Sequence, residues 1–212
     1  MTTGGKIFSL VAAGVTGYML FVSVPEGDRT LRAFDPARLA ELERDVLEAN
    51  DAKQHVRLYF AMAVMLREQD RYTWAKALDA GFHRARAMVA FRTTRTHVED
   101  QLLPDLERVY QIEREWTNAS FDPKAVARAE IVSWMARRRP ELSNEDYISS
   151  LIAERDGLRY ETSAAAVSGS SQLQARAALL IDAGNPDWRL IGSLLKDAYG
   201  TLRSVTTDHS TR

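Results

Sequence analysis

The chain has 212 residues, of which 45% are hydrophobic and 27% charged, with a formal net charge of −1 and no cysteine. This length and composition allow a sizeable buried core. A near-neutral chain lacks the basic surface that supplies most nucleic-acid affinity, and a chain without cysteine has no disulfide, thiolate nucleophile or cysteine metal ligand.

The segment most unlike the rest of the chain lies near its N-terminus. Residues 7–24, IFSLVAAGVTGYMLFVSV, carry no charged side chain and run from Lys6 to Pro25. As a helix these positions would span roughly 27 Å, close to the ~30 Å hydrocarbon core of a bilayer. The segment therefore predicts an uncleaved transmembrane anchor.

Two alternatives for this segment stay open, a cleaved signal peptide and a buried helix of a soluble fold. The apolar run exceeds the usual h-region, and no small-x-small cleavage site precedes Pro25. Arg29, Arg32 and Arg38 on the C-terminal side, against Lys6 and the α-amine, favour a cytoplasmic helical domain. The expected location is thus the inner (cytoplasmic) membrane of a bacterium, crossed once.

Small residues follow one face of the predicted anchor. Ser9, Ala13 and Gly17 are spaced four apart, so a partner helix could approach closely there, although small residues are also simply common in membrane helices. The span contains no histidine or charged residue. This argues against a proton path, an ion pore or a haem ligand within the membrane.

The remainder of the chain carries the signature of an internal duplication. Phe34-Asp35-Pro36 recurs as Phe121-Asp122-Pro123, 87 positions later. Each triplet is typical of a helix start, with Asp as N-cap and Pro at the first helical position. Three further stretches match at offsets of 86, 90 and 89, namely 65–70 with 151–156, 84–89 with 174–179 and 107–110 with 196–199. The pattern predicts two like units packed together.

Apolar residues recur at helical spacing through both units, for example at Trp74, Leu78 and Phe82, and no alternating strand pattern interrupts them. A helix start is expected near Pro104, and residues 162–172 are predicted to be helical. The predicted fold is all-α, a single transmembrane helix followed by two similar multi-helix units. The predicted parts are a tail (1–6), the anchor (7–25), a linker (26–33), unit 1 (34–116), unit 2 (117–205) and a flexible tail (206–212).

No motif for catalysis, a cofactor or a metal stands out. The chain lacks Glu-x-x-His, Gly-x-Ser-x-Gly and Gly-rich phosphate loops, so no catalytic, cofactor-binding or metal-binding residue is predicted. One minor alternative is a metal site formed by His83 with Glu43, Glu68 or Glu130, since these glutamates lie on apolar helices. Ordinary polar residues at the core edge are the favoured interpretation.

Four arginines form the one conspicuous basic segment. Arg84, Arg86, Arg92 and Arg95 occur between Ala80 and Val98, where there is no acidic residue. They are candidates for contact with an acidic partner or with lipid headgroups. The favoured alternative is a solvated face paired with acids elsewhere in the fold.

These features favour a non-catalytic, membrane-anchored accessory subunit. It is expected to dock onto a larger membrane protein complex, such as a bacterial respiratory or photosynthetic assembly, and to stabilise it. No nucleic acid and no small-molecule substrate is predicted. The alternatives are a membrane-tethered helical module that binds a protein in a groove between the two units and, less favoured, a helical-bundle metalloenzyme.

Overall fold

The computed structural model describes residues 21–139 and 141–208. Within these ranges the chain forms eight α-helices and no strand, which confirms the all-α prediction. The helices are α1 (Pro36–Asp51), α2 (His55–Gln69), α3 (Trp74–Thr93), α4 (Val98–Thr117), α5 (Pro123–Arg137), α6 (Glu145–Arg159), α7 (Ala164–Asp182) and α8 (Trp188–Asp208).

The helices form a closed ring, because each packs on the next along the chain and α8 packs on α1. The odd-numbered helices all finish at the same end of this ring. We call it the open end, because residues at these helix ends line a central cavity. Arginines bridge their termini there, through bonds from Arg92 to the Asn50 carbonyl, from Arg138 to the Thr94 carbonyl at 2.8 Å and from Arg137 to Asp182 at 2.7 Å. Cations at helix C-termini offset the negative end of the helix dipole.

The opposite end of the ring contacts Ser23, near the C-terminal end of the predicted anchor, and we call it the anchor end. Arg67, in the last turn of α2, donates to the Ser23 carbonyl at 3.1 Å. Trp116, near the end of α4, donates to the Asp70 carbonyl at 2.9 Å. The 16 residues of α1 run from the anchor end to the open end, so the two ends lie roughly 24 Å apart.

Both predicted Asp-Pro helix starts are confirmed. The Asp35 carboxylate accepts from two backbone N–H groups of the first turn of α1, and Asp122 accepts from one in α5, with proline at the first helical position each time. The ends of α2 and α6 also correspond. Arg71 and Glu161, 90 positions apart, both have positive φ, at 57° and 53°. Few residues other than glycine adopt this conformation.

The predicted start of α4 near Pro104 is wrong, because the helix begins at Val98 and contains Pro104. The reason is packing. Val98, Leu102 and Leu106 follow at intervals of four and are all buried, so the apolar face extends one and a half turns before the proline. Residues 164–172 of the predicted helical stretch 162–172 lie in α7, as expected. At the C-terminus, α8 continues to Asp208, past the predicted start of the tail at residue 206.

The predicted anchor, residues 7–25, lies mostly outside the described residues, and so do Ser9, Ala13 and Gly17. Within the described ranges, 21–139 and 141–208, no helix combines the length and the apolar character needed to cross a membrane.

Candidate functional site

The centre of the ring contains two tyrosine–glutamate hydrogen bonds. Tyr110 of α4 donates to Glu130 of α5 at 2.7 Å, and Tyr199 of α8 donates to Glu43 of α1. The glutamates are 87 positions apart and the tyrosines 89, the offsets already seen between the sequence matches. Each bond joins one half of the chain to the other. The same construction therefore occurs twice around the centre.

Two arginines lie beside these bonds, each paired with a buried acid. Arg84 Nη2 is 2.6 Å from Glu130 Oε1, and the Glu130 side chain is only 1% exposed. Arg155 Nη2 is 2.7 Å from Asp156 Oδ1 and also donates to Gln174 at 2.9 Å. Burial alone would lower the pKa of Arg84, but Glu130 and Tyr110 raise it further than burial lowers it. Arg84 and Glu130 thus form a buried, charged pair.

Glu43 differs from Glu130 in having no cation against it. Its carboxylate accepts from Tyr199, and no basic side chain of the described residues forms an ion pair with it. Burial raises the pKa of Glu43 to about 7, an effect that Arg155 and Arg84 at longer range only partly offset. Near neutral pH the protonated and the ionised form of the Glu43 carboxyl group are therefore both populated.

A cavity of about 490 Å³ occupies the centre of the ring and reaches the open end. Its inner part is polar, lined by Glu43, Arg84, Glu130, Arg155 and Gln174. Its walls include Met62, Met65, Met88 and Phe91. Its outer rim carries Asp51, Arg92, Arg137, Arg138 and Asp182. The volume falls in the range of pockets that hold small molecules.

The four arginines of the basic segment do not form one surface. Arg84 points into the ring, Arg86 pairs with Asp105 on the side of the ring, Arg92 donates to Asn50 at the open end, and Arg95 is exposed. Arg84 and Arg86 thus meet acids from other helices, as the alternative expected, but only Arg86 does so on a solvated face, because Arg84 lies inside the ring.

The glutamates and the histidine considered for a metal site are dispersed. Glu43 and Glu130 face the central cavity, whereas Glu68 binds Arg38 at 2.8 Å on the outside of the ring. His83 Nδ1 is 2.7 Å from Asp105 Oδ1. In the part of the chain that the structure describes, no three such side chains are grouped as metal ligands would be.

An exposed apolar patch lies on the outer wall of α2 and α3. Val56 is 72% exposed, Phe60 55% and Phe82 49%. The Tyr59 ring contacts both phenylalanines, with centroids 5.0 Å from Phe60 and 6.4 Å from Phe82. We call these four residues the aromatic patch. Clustered exposed apolar side chains mark interaction surfaces more often than isolated ones do.

Sequence reasoning missed several of these features. Periodicity placed Phe82 among the regular apolar positions of its helix, but its ring is half exposed. Tyr110 and Tyr199 ended two matched stretches, and this coincidence was the available signal for the central bonds. Arg155 and Gln174 lie in the matched stretches 151–156 and 174–179, but nothing in those stretches places them at the centre, because that position depends on packing against other helices.

No family model matches the chain, and no curated protein or solved structure is significantly similar to it.

Proposed function

We propose that the chain is a non-catalytic accessory subunit, tethered by residues 7–25 to the inner membrane of a bacterium with its helical domain in the cytoplasm. It docks onto a larger membrane protein complex, such as a respiratory or photosynthetic assembly, and stabilises it. The observation that carries this proposal is the aromatic patch on the outer wall of α2 and α3.

The position of the aromatic patch suits a membrane-bound partner. Arg67 binds Ser23, near the C-terminal end of the predicted anchor (7–25), and Phe60 and Val56 lie 7 and 11 residues before Arg67 on α2. At the helical rise these residues stand roughly 10–16 Å from the anchor end. The patch would therefore meet the part of a neighbouring membrane protein that projects just beyond the bilayer.

A membrane tether also explains how a patch of only four residues can hold the subunit on its partner. Four side chains bury much less surface than a stable interface between free proteins requires. An anchor in the same bilayer as the partner raises its effective concentration, so a modest contact becomes sufficient. Ser9, Ala13 and Gly17 would provide a second contact within the membrane.

We further infer that the ring is built from two duplicated units, 34–116 and 117–205. The paired Asp-Pro helix starts, the paired positive-φ residues and the two central tyrosine–glutamate bonds support this inference. Duplication would give the domain a rigid scaffold of closed form without requiring any catalytic group.

The docking proposal is tested in native membranes extracted with mild detergent and separated by blue-native electrophoresis. We expect the full-length chain to migrate with a large complex and a Phe60→Ser/Phe82→Ser variant to be released from it. Leu190→Ser on α8, where Leu190 is 42% exposed, is the matched control and should remain bound. Migration of the wild-type chain as a lone species of 23.8 kDa plus detergent would contradict the proposal.

The second candidate is a membrane-tethered module that binds a protein, and one observation favours it. The cavity between the two halves opens at the end of the ring remote from the anchor end, where a peptide could enter. A pull-down with residues 26–212 distinguishes the candidates. A binding module keeps its partner without the anchor, whereas a docked accessory subunit loses most of its hold.

A further inference from the structure

We propose that the central cavity binds a small organic cation, a guanidine or primary amine with a short apolar chain, through the Glu43 carboxylate. This ligand site goes beyond the accessory role proposed above. It is independent of the partner that the aromatic patch contacts.

The two central glutamates, Glu43 and Glu130, have unequal partners. Arg84 of α3 neutralises Glu130 at 2.6 Å. The position that matches Arg84 in the second half of the chain, 90 residues later, is Gln174 of α7. A glutamine cannot neutralise a carboxylate. Glu43, the counterpart of Glu130, thus lacks the cation that the corresponding construction supplies on the other side.

Gln174 is also held away from that role by other bonds. Its amide donates to Asp156 at 3.0 Å and to Ser170 at 3.1 Å, and its carbonyl oxygen accepts from Arg155. Gln174 therefore does not pair with Glu43, and Glu43 lines the cavity instead. A guanidinium or ammonium group entering there would take the place that Arg84 takes against Glu130.

The inner part of the cavity has one more acidic side chain than basic side chains. Counting only the inner part of the cavity and its direct contacts, Glu43, Glu130 and Asp156 are acidic, while Arg84 and Arg155 are basic. The rim is counted apart, because its arginines and aspartates lie at the open end. Each inner arginine already shares its charge with a buried carboxylate at 2.7 Å or less. An anion would have to compete with those carboxylates, whereas a cation completes the balance.

The walls of the cavity suit the remainder of such a ligand. Met62, Met65 and Met88 offer flexible, polarisable side chains that adapt to a short alkyl chain. Phe91 adds apolar surface to the wall, while the face of its ring is already covered by Arg138, whose Cζ lies 3.5 Å from the ring centroid.

The arginines on the rim of the cavity do not oppose the entry of a cation strongly. Arg92 and Arg138 donate to carbonyl groups at helix C-termini, and Arg137 binds Asp182. Their charges thus offset the negative ends of the odd-numbered helices.

The test is isothermal titration calorimetry of the full-length chain in detergent micelles, with thermal unfolding measured in parallel. The probes are n-butylguanidine and n-butylamine, with n-butyrate as the anion of matched size and n-butanol as the neutral one. We expect saturable binding and a rise in melting temperature with the cations only. Equal or tighter binding of butyrate, or no cation binding up to about 10 mM, would overturn the proposal.

Two variants of cavity residues test whether the cation binds at Glu43. Glu43→Gln should weaken cation binding by at least about tenfold, because a charge-assisted bond is lost. Gln174→Arg should abolish it by filling the same place from α7, and Glu68→Gln on the outside of the ring is the control that should leave it unchanged. Unaltered binding in both cavity variants would refute the assignment to Glu43. If neither variant folds, the selectivity of the wild-type chain among the four probes decides.

Discussion

Tyr110 of α4 donates to Glu130 of α5 across the boundary between the two halves of the chain, at 2.7 Å. Tyr199 repeats this bond with Glu43, where α8 closes the ring against α1. The polar centre therefore joins the two halves of the ring at both of their junctions.

Removal of Arg84 from its pair with Glu130 should strongly destabilise the fold. Arg84→Ala leaves Glu130, which is 1% exposed, as a buried and unpaired charge, so we expect a loss of about 3–5 kcal/mol in the free energy of unfolding. Arg38→Ala breaks a pair with Glu68 on the outside of the ring and should cost at most about 1 kcal/mol. Urea unfolding followed by circular dichroism measures both. Similar losses in the two variants would show that the central pair is not buried as described.

The pH dependence of stability should report on Glu43. Burial raises its pKa to about 7 from an ordinary value near 4.5, so between these pH values the folded chain holds a proton that the unfolded chain releases. This group's contribution to stability therefore declines as pH rises from about 4.5 to 7. Asp70, whose pKa burial and Glu113 raise to about 7, acts in the same direction.

A Glu43→Gln variant isolates this effect, because the amide resembles the protonated acid at every pH. Arg155, Arg84, Asp156 and Glu130 face the same group and stay unchanged. Near pH 5 the variant and the wild-type chain should be about equally stable. Near pH 8 the variant should be more stable by roughly 1–3 kcal/mol. A stability difference that stays constant from pH 5 to 8 would mean that the pKa of Glu43 is not raised.

Gly81 should not tolerate a side chain. A Cβ at this position would lie 3.1–3.3 Å from the backbone and Cβ of Ala63, so α2 and α3 would have to separate. We expect Gly81→Ala to cost about 1–3 kcal/mol. Gly200 of α8 has open space around its Cβ position, and Gly200→Ala should instead stabilise the helix by about 0.5–1 kcal/mol. Thermal unfolding distinguishes a loss of stability from a gain. A higher melting temperature in both variants would contradict the close approach of α2 and α3 at Gly81.

The two matched helix starts should contribute alike. Asp35 accepts from two backbone N–H groups and Asp122 from one, each ahead of a proline. Replacement of either by alanine is expected to cost about 1 kcal/mol, and the double variant about twice that because the sites lie at separate helices. Denaturant midpoints provide the measurement. A neutral effect at one of the two sites would argue against equivalent helix starts.

The features that sequence reasoning could anticipate are local. The Asp-Pro caps lie within three residues of the groups they bind, so composition and order suffice to predict them. Closure of the ring by α8 against α1 depends on contacts between two helices that are far apart in the sequence. Arg84 illustrates the limit at the centre, because its acid, Glu130, lies 46 positions away and nothing near residue 84 marks it as buried.

The aromatic patch illustrates a different limit. Phe82 and Ala85 recur at the spacing of one helix face, yet Ala85 is buried and Phe82 half exposed. A helix in a ring has two flanks and an outer wall, and periodicity alone does not state where the buried sector ends.

The most direct test of docking replaces Phe60 with a photo-reactive benzophenone amino acid in the full-length chain and irradiates native membranes. The same replacement at Leu190, which is 42% exposed on α8, is the control. We expect a cross-link from position 60, and not from position 190, to one membrane protein of the complex with which the chain co-migrates. No cross-link from position 60, or the same products from both positions, would contradict it.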